Sequence, residues 1–166
     1  MSYLHATRKQ FLDIVTTVSV EQLRFKPTSS RWSIAEIAEH LTLVEDSVYQ
    51  AAQAALQGPA TEPNPALDAK IQTGVASRAR RVTAPEGFVP TGRWTSSSDL
   101  ASEFKSRRDR SIEFIQTTAA NVRQHALRHP ALGLLDAYQW FLFAAAHADR
   151  HIQQMREVMA DPQFPK

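Results

Sequence analysis

WSIAEIAEHLTLVEDSVYQAAQAALQGP, residues 32–59, carries a helix start, a helix body and a helix stop in that order. Ser33 and Glu36 have the spacing of a capping box, in which each side chain satisfies a backbone N–H of the other, and Trp32 and Ile37 stand where a hydrophobic staple forms. Ile37, Leu41, Val44 and Val48 then recur every three or four residues, the period of one helix face. Gly58-Pro59 ends the pattern. The stretch predicts a helix from Ser33 to about Leu56 that buries one stripe.

Three further segments show the same period. Leu4, Phe11, Ile14, Val15 and Val18 mark a helix over about 4–18. Leu100, Phe104, Ile112 and Ile115 mark another over about 98–119, after a serine-rich cap. The last, about 134–160, follows the breakers His129-Pro130 and Gly133 and stops before Asp161-Pro162. None of the segments reads as part of a strand series. Four long helices predict an all-α four-helix bundle, with residues 1–166 as one domain. Short links join the first helix to the second and the third to the fourth. Residues 57–97, with Pro59, Pro63, Pro65, Pro85 and Pro90, are long enough to return along the bundle as a crossover, with a short helix at about 66–77.

Composition narrows the function. Hydrophobic residues make up 43% of the chain, enough for one sizeable core. The start carries no basic and apolar leader, and no run approaches the roughly 18 apolar residues of a membrane span, so a soluble cytoplasmic protein without a membrane partner is expected. Nineteen basic against 17 acidic residues give a formal charge of +2, which does not call for nucleic acid. The local cluster Arg78, Arg80, Arg81 reads as a solvated face. Cysteine is absent, so a metal ion would have to be held by His, Asp or Glu.

The six histidines therefore matter. His147 and His151, in HADRH (147–151), are four apart on a helix, about 40° apart in rotation and roughly 6 Å along the surface. Their face includes Trp140, Ala144, Gln154 and Met155, so both point inward. His40 lies on the inward stripe of the second helix. Three inward imidazoles are either core residues, each satisfied by a neighbour, or ligands of one divalent cation. Leaving a buried polar group unpaired costs about 1–3 kcal/mol, and one cation relieves three rings together. The zinc-protease pattern does not apply, because Ala148 follows His147 where a catalytic glutamate would stand. His125 and His129 share the same spacing, but Pro130 assigns them to a loop turning into the fourth helix. His5 is expected at the surface. Trp94 and Trp140 are expected in the core, and Glu36 or Asp149 is a candidate to orient a ligand histidine.

RWSIAEIAEHLTLVED (31–46), HPALGLLDAYQWFLFAAAHADRHIQQMREV (129–158) and APEGFVPTGRW (84–94) together resemble the DinB-like superfamily of four-helix metalloproteins. The resemblance implies that His40, His147 and His151 bind a divalent metal, zinc or nickel, with manganese and iron as alternatives. It also implies a crossover between the second and third helices, frequent homodimers, and relatives that are metal-dependent thiol S-transferases or isomerases.

A three-histidine site would leave a coordination position open, and a thiol placed there would be deprotonated at neutral pH without any cysteine from the protein. The expectation is a metal-dependent S-transferase acting on a small molecule with a low-molecular-weight thiol. A hydrolase at the same site and a non-catalytic metal- or ligand-binding bundle are the alternatives. Arg108, on the inward stripe of the third helix, is a possible clamp for a substrate carboxylate. Leu135, Leu142, Ile152, Tyr49 and Ala52 exceed what one buried face per helix requires, which suggests either a homodimer or burial under the crossover.

Overall fold

A computed structural model describes residues 2–166. The elements in chain order are α1 (Ser2–Thr17), α2 (Val20–Arg24), α3 (Ile34–Leu56), α4 (Ala66–Ala76), a 3-10 turn (Glu86–Phe88), α5 (Ser97–Thr117), β1 (Ala126–His129), β2 (Gly133–Asp136) and α6 (Ala137–Met159). The four long helices α1, α3, α5 and α6 form a four-helix bundle. Helix α6 packs between α1 and α3, and α5 closes the ring against both.

The capping box at Ser33 is formed in both directions, with the Glu36 amide donating to the Ser33 hydroxyl at 3.2 Å and Ser33 N donating to the Glu36 carboxylate at 2.7 Å. Asp136 and Gln139 make the same reciprocal pair at the start of α6. Gln139 then donates to the carbonyl of Asn64 and to Asp68, tying α6 to the crossover helix α4. Apolar side chains fill the centre of the bundle. Phe11 and Phe104 stack at 3.8 Å with no exposure, and each such burial contributes roughly 1.5–3 kcal/mol.

Three expectations are corrected. His125–Pro130 is not a loop entering the last helix: residues 126–129 pair antiparallel with 133–136, from Ala126 opposite Asp136 to His129 opposite Gly133. The turn between them places Gly133 at φ +82°, a conformation that glycine reaches without a Cβ clash. Residues 134–136 therefore belong to β2, and the last helix begins at Ala137. The short link expected after α1 contains a further helix, α2, started by its own capping box at Ser19 and Gln22.

The apolar surplus is also absorbed within the chain. Leu135 and Ala52 have no exposure and Leu142 has 8%, in one cluster with Ile71 of α4, while Ile152, also without exposure, packs inside the bundle with Phe11, Leu41 and Phe104. Tyr49 is half-buried, with its ring edge-on to Phe114 and beneath the Arg110 guanidinium. The crossover and the bundle interior together cover these residues within one chain. No helix among the described residues is long and apolar enough to cross a membrane.

Candidate metal centre

Helix α3 carries His40 between Ile37 and Leu41, and α6 carries His147 and His151 beside Ala148 and Ile152. Packing α3 on α6 brings the three rings together. His147 Nε2 lies 3.5 Å from His40 Nε2 and 3.2 Å from His151 Nε2. Imidazole nitrogens bound to one cation at about 2.0–2.1 Å with tetrahedral angles stand about 3.3–3.4 Å apart, so the spacing fits a shared divalent ion. His40 and His151 are buried and His147 is half-buried, its ring nitrogens enclosed. Trp32 covers His40 and His151 at ring separations of 5.0 and 6.4 Å, and Phe143 stacks on His147 at 5.4 Å.

Two of the rings are oriented from behind. His40 Nδ1 donates to the carbonyl of Phe88 at 2.7 Å. His151 Nδ1 donates to Gln154 Oε1 at 2.9 Å, and Arg78 Nη1 donates to the same oxygen at 3.4 Å. A carbonyl oxygen can only accept, so both rings carry their proton on Nδ1 and turn an Nε2 lone pair toward His147. Any proton on His147 Nε2 can serve one of these lone pairs and not both. A buried acceptor is then left over, whereas a cation satisfies all three nitrogens at once. His147 Nδ1 itself is enclosed without a partner.

Electrostatics keep the cluster neutral. Burial pushes His40 below its ordinary value, opposed by the Phe88 carbonyl, which favours the charged ring. Burial first, and then His40, push His151 down to about 3. His147 is held well below its ordinary value by burial and by His151, His40, Arg150 and Arg108. Neutral imidazole is the form that ligates.

The other candidates fall elsewhere. Glu36 completes the α3 cap and pairs with Lys26 at 2.9 Å, and Asp149 accepts from Tyr3 at 2.9 Å, so neither orients a histidine. That work falls to the Phe88 carbonyl, for which no sequence signal exists, and to Gln154, on the same helix face as His147 and His151. Arg108 is fully buried, and all five of its N–H donors are used: two on Glu45 at 2.8 and 2.6 Å, and three on Thr7 Oγ1 and the carbonyls of Leu4 and Ala144. No donor is left for a substrate carboxylate, which does not fit the clamp. Arg78 leaves the presumed solvated cluster to pair with Glu157 at 2.7 Å and to touch Gln154. His5 is exposed, Trp140 is buried and Trp94 is half-buried against the core. His125 Nδ1 donates to the Gly58 carbonyl, and His129 packs on Trp140 and Phe143.

Four long helices joined through a crossover, with imidazoles from α3 and α6 converging on one point, define a histidine-cluster four-helix bundle. The chain belongs to the DinB superfamily, which it matches over residues 3–155. It is 26% identical over 158 residues to the uncharacterized protein YuaE of Bacillus subtilis (strain 168), covering 95% of this chain and 96% of that one. The crystal structure of TT2238, a four-helix bundle protein, matches with a TM-score of 0.60 at 18% identity over 94% of each chain, a likeness of fold.

Proposed function

We propose that His40, His147 and His151 bind one divalent cation, zinc or nickel, through Nε2, and that the protein is a metal-dependent S-transferase using a low-molecular-weight thiol on a small electrophile. The observation that carries the metal reading is the convergence of three neutral imidazoles whose lone pairs cannot all be satisfied by one another. Membership of the DinB superfamily supports it. A divalent cation, when bound, lowers the pKa of a coordinated thiol or water and so supplies a nucleophile at neutral pH.

The chain's own residues provide the rest. Phe88 and Gln154 fix the tautomers of His40 and His151, and Trp32 and Phe143 wall the cluster with aromatic rings that limit water. The protein has no cysteine, so a sulfur nucleophile must come from a small molecule. Two-fold pairing of the chain is also proposed, and it rests on the resemblance alone, because the apolar residues that suggested it are covered internally.

Elemental analysis of protein purified without a nickel column is expected to find about one divalent ion per chain, lost in the variant with all three histidines replaced by alanine. Equal metal content in the two proteins would overturn the site. In cobalt-loaded protein, a physiological thiol at millimolar concentration is expected to produce a sulfur-to-metal charge-transfer band. An unchanged spectrum across a panel of thiols would reject the S-transferase in favour of hydrolysis or a non-catalytic bundle.

A further inference from the structure

Glu39 precedes His40 on α3 and is 1% exposed, yet no Lys, Arg or His among the described residues pairs with it. Its carboxylate is filled by the crossover loop. Oε1 accepts from Thr91 N at 2.9 Å and from Thr91 Oγ1 at 3.2 Å, and Oε2 accepts from Gly92 N at 2.9 Å and Arg93 N at 3.1 Å. Four donors saturate the roughly four acceptor positions of a carboxylate. Three consecutive backbone N–H groups turned to one side form a concave anion nest, and Gly92 at φ +80° supplies the left-handed conformation this turn requires.

The same loop orients His40. Three residues before Thr91, the Phe88 carbonyl accepts the His40 Nδ1 proton at 2.7 Å. Little freedom lies between the two attachment points. Only Val89 and Pro90 separate them: Val89 N donates to the Glu86 carbonyl at 3.2 Å, and the Pro90 ring fixes its own φ angle. Two consecutive residues of α3 therefore grip one short, stiff stretch of loop, Glu39 at 91–93 and His40 at 88.

We propose that Glu39 is a positioning residue of the metal centre: by holding residues 91–93 it seats the Phe88 carbonyl on His40 Nδ1 and so keeps the His40 Nε2 lone pair directed at the cluster. The role rests on the three-histidine reading of the site. A purely structural Glu39 would only fasten the crossover to the bundle, and the two roles differ in what they do to His40.

The test compares Glu39→Ala and Glu39→Gln with Arg123→Ala, which loosens the crossover at α4 by removing the Arg123 bonds to Asp68 and Asp136. Histidine side-chain 15N NMR of metal-free protein reads the His40 tautomer, and competition with a chromophoric chelator reads cobalt affinity. Glu39→Ala is expected to shift His40 away from the Nδ1–H form and to weaken cobalt binding about tenfold or more, with Glu39→Gln intermediate because one acceptor oxygen remains. Arg123→Ala should lower the melting temperature and leave both readouts as in wild type. If Glu39→Ala fails to fold, Glu39→Gln decides the matter by the same two readouts. A folded Glu39 variant with a wild-type His40 tautomer and unchanged affinity would overturn the proposal. Wild-type protein that binds no cobalt would instead refute the metal reading, while the tautomer measurement would still decide whether Glu39 positions His40.

Discussion

Arg108 and Glu45 form a two-point ion pair, Nε to Oε2 at 2.8 Å and Nη2 to Oε1 at 2.6 Å, with the arginine side chain fully buried and that of the glutamate 2% exposed. The pair joins α5 to α3 across the bundle centre, and Thr7 and the Leu4 carbonyl extend it to α1. Removing one partner leaves a buried charge unpaired, so Arg108→Ala is expected to cost about 3–5 kcal/mol in urea denaturation. The double variant Arg108→Met, Glu45→Met should recover most of that loss, because apolar side chains of similar volume need no partner. A loss below about 1 kcal/mol in the single variant would contradict the pairing.

Cation binding by the native state alone should stabilise the fold. At a free ion concentration 100 times the dissociation constant the gain is about 2.7 kcal/mol, or about 5–10 °C in melting temperature for a chain of this size. Differential scanning calorimetry with and without zinc checks it. His147→Ala should abolish the shift, and a shift of equal size in that variant would place the ion elsewhere.

Acid should destabilise the metal-free protein through the same histidines. Their folded-state pKa values lie below the ordinary value near 6.5, so the unfolded chain binds protons first as the pH falls. Stability contributed by the neutral rings is thus fully present above about 6.5 and is lost on descending toward about 3, the value to which His151 is pushed. Each ring adds a slope of up to about 1.4 kcal/mol per pH unit within that window. Urea denaturation between pH 4 and 7 should show a flatter profile for the triple His→Ala variant, with the depressed His129 contributing to what remains. Parallel profiles for variant and wild type would refute this assignment.

Gln154 should matter more than its distance from the ion suggests. Gln154→Leu removes the acceptor that fixes the His151 tautomer and is expected to weaken zinc binding about 10–100-fold by chelator competition. Arg78→Ala should act in the same direction but less, since Arg78 only supports Gln154, and loss of its partly exposed pair with Glu157 costs about 1 kcal/mol or less. An affinity for Gln154→Leu equal to wild type would remove Gln154 from the site.

Two-fold pairing is checked by sedimentation at micromolar concentration. A species of twice the chain mass is expected, and a single species near 18.6 kDa that persists on concentration would refute it.

Much of this architecture is local in origin and so is legible along the chain. Capping boxes, breakers and a 3.6-residue period act within a few positions, and they placed the α3 start at Ser33 and the inward faces of His40, His147 and His151. The pairing of His147 with His151 follows from helix geometry alone. The hairpin escaped because its two strands are four residues each, too short for a clear alternation, and Pro130 reads equally as a loop. Contacts between distant segments have no local signature. The approach of His40 to His147, 107 positions apart, the Phe88 carbonyl behind His40, the Arg78 contact to Gln154 and the partner of Arg108 were all decided by how α3, α5, α6 and the crossover pack. Residue types and helical period determined which side chains face inward, and only tertiary packing determined which of them meet, because burial direction is a property of one helix and coordination requires two.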